Sequence, residues 1–255
     1  GSADAIASAT HTRVSALREA AHTLRPPAGE RHGPLVPMMV ALTLVTGVVD
    51  AASYLRLGHV FVANMTGNVV FLGFALAGAQ GLSAATSLVA LGSFLLGAVL
   101  GGRLGARTAE HRGRVLRDAS AAQVVLLAIA LTIALAGGEP PHTGVRYALV
   151  VSMAMAMGVQ NAAAQRLAVP ELTTTVLTRT LTGLVSEAGL VGGEGSKLGR
   201  RAIAVAAMLL GALTGGLLVL HVAVAAALAV AGAIVLCVCL AVHALSRARP
   251  AWTRA

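Results

Sequence analysis

Six stretches of this 255-residue chain are apolar for about the length that a helix needs to cross the hydrocarbon core of a bilayer. They run approximately over 35–57, 83–104, 119–138, 145–165, 202–220 and 222–245. In hydrocarbon every backbone N–H and C=O must be paired inside the protein, so such spans are helical. Composition agrees, with 56% hydrophobic and 11% charged residues, against about 25% charged in a soluble domain. Aromatic residues are only 3% of the chain and glycines number 29. The helices are therefore expected to pack backbone to backbone through small residues.

Two further segments, 59–80 and 168–193, are apolar only in part. In the first, clean helix is expected only from Val69 to about Ala79, after Asn64-Met65-Thr66-Gly67-Asn68. About a dozen residues reach ~18 Å against a hydrocarbon core of ~30 Å. The second is rich in threonine and carries Arg179 and Glu187. Charge decides how these segments lie. If both re-enter rather than cross, fifteen basic residues fall on the cytoplasmic side, among them the five arginines of 103–117, and only Arg56 and Arg146 fall outside. If both crossed, those five arginines would move outside, against the positive-inside rule. The expectation is a multi-pass protein with both termini cytoplasmic. Residues 1–34 then form a cytoplasmic segment, in which Val14, Leu17, Ala21 and Leu24 make a weak helical stripe, and 246–255 form a cytoplasmic tail. Gly1-Ser2 reads as a cloning scar, and residues 1–34 hold no apolar stretch of the signal-peptide kind.

The chain repeats itself. Gly47-Val48-Val49-Asp50-Ala51-Ala52 matches Gly158-Val159-Gln160-Asn161-Ala162-Ala163 at an offset of 111. Leu95-Leu96-Gly97-Ala98-Val99-Leu100-Gly101-Gly102 matches Leu209-Leu210-Gly211-Ala212-Leu213-Thr214-Gly215-Gly216 at an offset of 114. Residues 35–138 and 139–245 are thus two membrane repeats, each reading span, odd segment, span, span. With three true spans per unit, the second copy must be inverted. Inverted repeats build transporters and channels, whose site lies at mid-depth where interrupted helices meet. The fold class expected is all-α transmembrane: six spanning helices and two re-entrant, discontinuous short helices in two inverted-topology repeats.

The stretch from Gly47 through Asp50-Ala51-Ala52-Ser53 to Val62-Ala63-Asn64-Met65-Thr66-Gly67-Asn68 resembles the YoaK-like family of bacterial membrane proteins. So do Gln160-Asn161-Ala162-Ala163 and Thr173-Thr174-Thr175 through Thr178-Arg179-Thr180. The resemblance covers about residues 35–245 and implies a polytopic bacterial membrane protein. The family is functionally uncharacterised, so the resemblance implies no substrate and no catalytic residue. Eighteen arginines beside one lysine, with abundant Ala and Gly, suit a GC-rich bacterium, and the inner membrane is the expected location.

Asp50 stands inside the first span, where an ionisable side chain is costly and usually functional. It shares a helix face with Thr43, Thr46 and Ser53; capping, or pairing with Arg56, is the structural alternative. Its counterpart in the repeat is Asn161. Asn64, Thr66, Gly67 and Asn68 precede the first short helix, where Asn and Thr suit an N-cap. A helix that starts within the membrane aims free N–H groups and a positive dipole end at whatever lies there. Thr175, Thr178, Arg179 and Thr180 are the second copy's counterpart. Arg179 reads equally as a charge at an anion site and as a snorkelling residue paired with Glu171 or Glu187.

The expected function is a small inner-membrane transporter, proton-coupled, of a small anionic solute such as a carboxylate. Its site would be Asp50, Asn64, Thr66, Gly67, Asn68, Asn161, Thr175, Thr178, Arg179 and Thr180. A channel for a small polar solute and a non-transporting membrane scaffold are the alternatives. Enzyme chemistry is not expected, because no nucleophile–base set, phosphate loop or metal-ligand spacing is visible. No cofactor and no metal are implied. Cys237 and Cys239, two residues apart in an apolar run, are packing residues on different helix faces. The basic residues lie between spans without interleaved aromatics, which argues against nucleic acid. The partners expected are the lipid bilayer and a small solute, with homo-oligomerisation left open.

Overall fold

Each apolar run becomes a helix. The computed structural model describes residues 32–169, 198–247 and 251–253. In chain order the helices are α1 (Leu35–Arg56), α2 (Met65–Leu76), α3 (Ala84–Arg107), α4 (Arg112–Gly137), α5 (Thr143–Leu167), α6 (Leu198–His221) and α7 (Val224–Ser246), followed by a 3-10 turn, Ala251–Thr253. All but α2 are long and apolar enough to cross a membrane. No strand occurs among the described residues.

Two boundaries differ from expectation. The third span starts at Arg112 rather than near residue 119. The His111 side chain caps it, accepting the Arg114 N–H at Nδ1 (3.2 Å), and Arg117 pairs with Asp118 at 2.7 Å, so the polar first turns stay helical. The short helix runs over Met65–Leu76 rather than Val69–Ala79. Thr66, Gly67 and Asn68 therefore lie within its first turn instead of ahead of it.

The helices form a bundle around α1 and α5. In each of these, 72% of the most apolar stretch is buried; in α3, α4, α6 and α7 the share is 28–33%. The outer helices accordingly carry exposed leucines, including Leu95, Leu96, Leu209, Leu210 and Leu240. Such faces are what lipid tails solvate. Hydrogen bonds define the two ends. At one end Arg112 donates to the Leu167 carbonyl at 2.7 Å and meets His32 at 3.1 Å, so the start of α1, the start of α4 and the end of α5 lie together. At the other, Arg56 donates to the Val219 carbonyl at 3.2 Å, joining the ends of α1 and α6. Glu139 there accepts the Val224 N–H at 2.6 Å, tying the α4–α5 turn to the start of α7.

Glycines set the closest helix contacts. A methyl group on Gly47 would strike the Met208 carbonyl and the Ala212 nitrogen; one on Gly158 would strike the Phe94 carbonyl and the Ala98 nitrogen. Gly211 lies on the Leu44 carbonyl and Gly215 on that of Val48; Gly97 lies on the Met155 carbonyl and Gly101 on that of Val159. Each of these glycine contacts between α1 and α6 thus has a partner between α5 and α3 at the offsets of 111 and 114 found in the sequence. Within each pair the helices run parallel. The two pairs run in opposite directions, since the start of α1 shares an end of the bundle with the end of α5.

Candidate functional site

Between α1 and α2 the chain leaves its helix, turns back and is held at depth by two side chains. Leu57, Val60, Val62 and Ala63 are buried although their backbone is not helical. Non-helical backbone inside a bundle needs partners for its N–H and C=O groups. Asp50 supplies one set: its Oδ1 accepts the Val62 N–H at 3.0 Å and the Ala63 N–H at 2.8 Å. Asn68 supplies the other: its Oδ1 accepts the Phe61 N–H at 2.9 Å and its Nδ2 donates to the Phe61 carbonyl at 2.6 Å. Asp50 lies six residues before the end of α1, about 9 Å below it along the axis. The chain therefore folds back to that level before α2 begins. Thr86, near the start of α3, lies beside Gly58, so α3 starts at the end of the bundle where α1 stops.

Asp50 is 4% exposed, and its Oδ2 has no hydrogen-bond partner among the described residues. The Asn64 N–H also faces the carboxylate. Thr43, Thr46 and Ser53 are buried with Asp50 as their shared face implied, and each hydroxyl donates to a carbonyl of its own helix. Pairing of Asp50 with Arg56 does not occur, because Arg56 reaches the Val219 carbonyl instead.

The other proposed residues divide. Asn68 is fully buried, whereas Asn64 and Thr66 are exposed and Gly67 is half-buried against the Phe61 ring. Asn64 stands at the N-cap of α2, but its side chain makes no capping hydrogen bond. Its expected capping role is therefore corrected. The N–H groups of Val62 and Ala63, just ahead of the helix, are held from α1 by Asp50. Asn161 is buried in α5 and donates to the Met157 carbonyl at 3.0 Å. Thr175, Thr178, Arg179 and Thr180 lie outside the described residues, as does the N-terminal stripe from Val14 to Leu24.

Two features escaped the sequence reading. Gln123 of α4 donates to Gln160 of α5 at 2.7 Å, and Gln160 donates to Thr46 of α1 at 3.0 Å and to the Leu42 carbonyl at 3.3 Å. This buried chain joins three helices one turn from Asp50. The signal was available, since an amide inside an apolar run needs a partner in the bundle. Tyr54, Phe61 and Phe71 also gather their rings at 5.1–6.0 Å, with His59 edge-on to Tyr54. Three of the seven aromatic residues thus cover the 57–64 segment.

A model of the family described as "Protein of unknown function (DUF1275)" matches residues 38–241. The chain belongs to this family. The match runs from α1 into α7 and takes in Asp50, Asn68, Gln160 and Asn161. The chain is also similar to the UPF0700 transmembrane protein YoaK of Bacillus subtilis (strain 168), at 33% identity over 153 residues. That alignment covers 59% of this chain and 65% of the relative, just under two-thirds of its length. No solved structure matches the chain. The resemblance drawn from the Asp50 and Asn64–Asn68 motifs is thereby borne out. With six apolar helices of spanning length among the described residues and a relative named as a transmembrane protein, this chain is a multi-pass membrane protein.

Proposed function

We propose that the protein is a small transporter of the bacterial inner membrane, built from two inverted repeats, that moves a small anionic solute together with protons. The observation that carries this reading is the hold of the Asp50 carboxylate on the Val62 and Ala63 N–H groups. These donors lie just ahead of α2, at a helix start, a common place for anions. Asp50 acts there as a built-in anion. Protonation would weaken its grip, and a solute carboxylate could then take the same donors. Proton and anion would move in together because either a charged Asp50 or a bound anion satisfies those N–H groups, but not both.

The architecture supports the same reading. The reciprocal glycine contacts, in oppositely running helix pairs, are what a two-fold axis in the membrane plane produces. The partly buried 57–64 segment followed by the twelve-residue α2 has the form of a re-entrant, interrupted helix. Thr175, Thr178, Arg179 and Thr180 would form its counterpart beside Asn161. Placing Arg103, Arg107, Arg112, Arg114 and Arg117 in the cytoplasm puts both termini there. A non-transporting scaffold is the second reading. It is favoured by the use that Asp50 and Asn68 make of their hydrogen bonds, which go to the chain's own backbone.

The test is uptake of labelled small carboxylates into proteoliposomes under an inward proton gradient. The transporter reading expects uptake and binding that strengthen as pH falls, and counterflow of labelled solute. It also expects Asp50→Asn to lose gradient-driven uptake while still folding. Uptake of neutral solutes with no pH dependence would remove the anion. Absence of any uptake across a solute panel would favour the scaffold.

A further inference from the structure

At the Arg112 end of the bundle, the turn between α3 and α4 borders an open recess of about 610 Å³. That size is within the range of small-ligand sites. Its lining includes Arg107, Thr108, Glu110, His111, Arg114 and Thr253. Neighbouring cations are occupied: Arg112 bonds the Leu167 carbonyl, and Arg117 pairs with Asp118. Arg107 and Arg114 are exposed, and neither guanidinium has an ion pair or hydrogen bond among the described residues. His111 accepts a backbone N–H at Nδ1, which leaves Nε2 to carry the ring proton and donate. Arg107, His111 and Arg114 thus border one concavity, and Glu110 is the acidic residue in its lining.

The outer face of α3 leads along the helix to Arg107 at this recess. Leu96, Leu100, Arg103 and Arg107 follow one another at helical spacing and are all exposed. The stripe is apolar for its first half and cationic for its second. A continuous exposed stripe of this kind matches a ligand that is hydrocarbon at one end and anionic at the other.

We propose that the recess between Arg107 and Arg114 binds the phosphate of an anionic phospholipid, with the acyl chains along Leu96 and Leu100 of α3. The guanidiniums take the phosphate oxygens in charge-assisted hydrogen bonds. The Thr108 hydroxyl donates to the Leu104 carbonyl at 3.4 Å, which leaves its oxygen as an acceptor for the polar remainder of the headgroup. The site is separate from Asp50 and independent of any transport activity.

The experiment measures lipid binding to the full-length protein in uncharged detergent, with phosphatidylglycerol and phosphatidylcholine as probes. Phosphatidylglycerol is expected to bind more tightly. The double variant Arg107→Gln/Arg114→Gln is expected to bind it about thirtyfold more weakly, on the usual contribution of a basic residue near anionic lipid. Arg247→Gln, an exposed arginine at the same end but outside the recess, is expected to change little. Glu110→Gln removes the opposing charge and is expected to tighten binding, which keeps the proposal testable if the double variant fails to fold. Equal binding of the two lipids would overturn the proposal. So would an Arg247→Gln loss as large as that from one lining arginine, because diffuse surface charge would then suffice. Equally tight binding of free glycerol phosphate would overturn the lipid assignment in favour of a soluble phosphate.

Discussion

Asp50 and Ala63, thirteen residues apart in the chain, meet at 2.8 Å inside the bundle, carboxylate to backbone N–H. The same oxygen holds Val62 at 3.0 Å. Asp50→Leu would leave two buried N–H groups unpaired, at a cost of about 1–3 kcal/mol each. Asp50→Asn retains an acceptor and should lose less. Thermal unfolding in detergent should rank wild type above Asp50→Asn, and Asp50→Asn above Asp50→Leu. A cysteine placed at Val62 should also label faster in the Leu variant. Equal labelling would show that the segment is held by Asn68 alone.

The glycines fall into two groups with opposite expectations. Gly47, Gly97, Gly158 and Gly211 each face a neighbouring helix's carbonyl, with no room for a methyl group. Alanine at any of them should destabilise the protein by about 1–3 kcal/mol through overpacking. Gly92, Gly102 and Gly232 have nothing within 4 Å of where a methyl would sit. Alanine there should be neutral or stabilising by up to ~1 kcal/mol, from helix propensity. The measurement is the unfolding midpoint across the seven variants. Substitution costs that do not separate the groups would mean that the α1–α6 and α3–α5 contacts are looser than described.

Gln123 and Gln160 should behave as a unit. Replacing one by leucine leaves its partner's amide buried and unsatisfied, costing about 1–3 kcal/mol. Replacing both removes the hydrogen bond between them, but Gln160 also serves Thr46 and the Leu42 carbonyl. The double-mutant cycle should therefore give a coupling of about 0.5–3 kcal/mol, with the double variant less damaged than the sum of the singles. Strict additivity would refute the link.

Glu139 caps α7 from the α4–α5 turn, because Ala223 at the N-cap position has no side chain able to do so. Glu139→Ala should cost about 0.5–2 kcal/mol, the usual worth of a capping acceptor. Glu139→Gln, which keeps an oxygen, should recover most of it. Hydrogen exchange in the first turn of α7 should rise in the Ala variant and not in the Gln variant.

Asp50, Asn68 and Asn161 attract notice in the sequence because polar side chains in apolar runs are expensive, whatever surrounds them. What each one holds is another matter. Nothing local distinguishes an Asp50 that pairs with Arg56, six residues on, from one that reaches a loop a dozen residues on. Nor does spacing tell an Asn64 that caps a helix from one whose side chain is exposed while Asn68 makes the bonds. The early start of α4 was hidden for a related reason. Its first turns are too polar for an apolar-run criterion, and only His111, Asp118 and the Leu167 carbonyl show how Arg112, Arg114 and Arg117 remain helical.

Among the described residues, the number of helices long enough to span and their approximate places followed from the sequence alone, since hydrocarbon obliges each apolar run to satisfy its hydrogen bonds locally, within itself. The repeat was legible for the same reason, because Gly47 and Gly158, or Gly97 and Gly211, mark equivalent helix faces wherever those helices go. Which helices touch was decided only in three dimensions. The pairing of α1 with α6 and of α5 with α3 joins residues more than fifty positions apart, and only close backbone approach selects it. The same holds for the carboxylate of Asp50 and the amides of Gln123 and Gln160, whose partners are fixed by where the packed helices bring them and not by their neighbours in the chain.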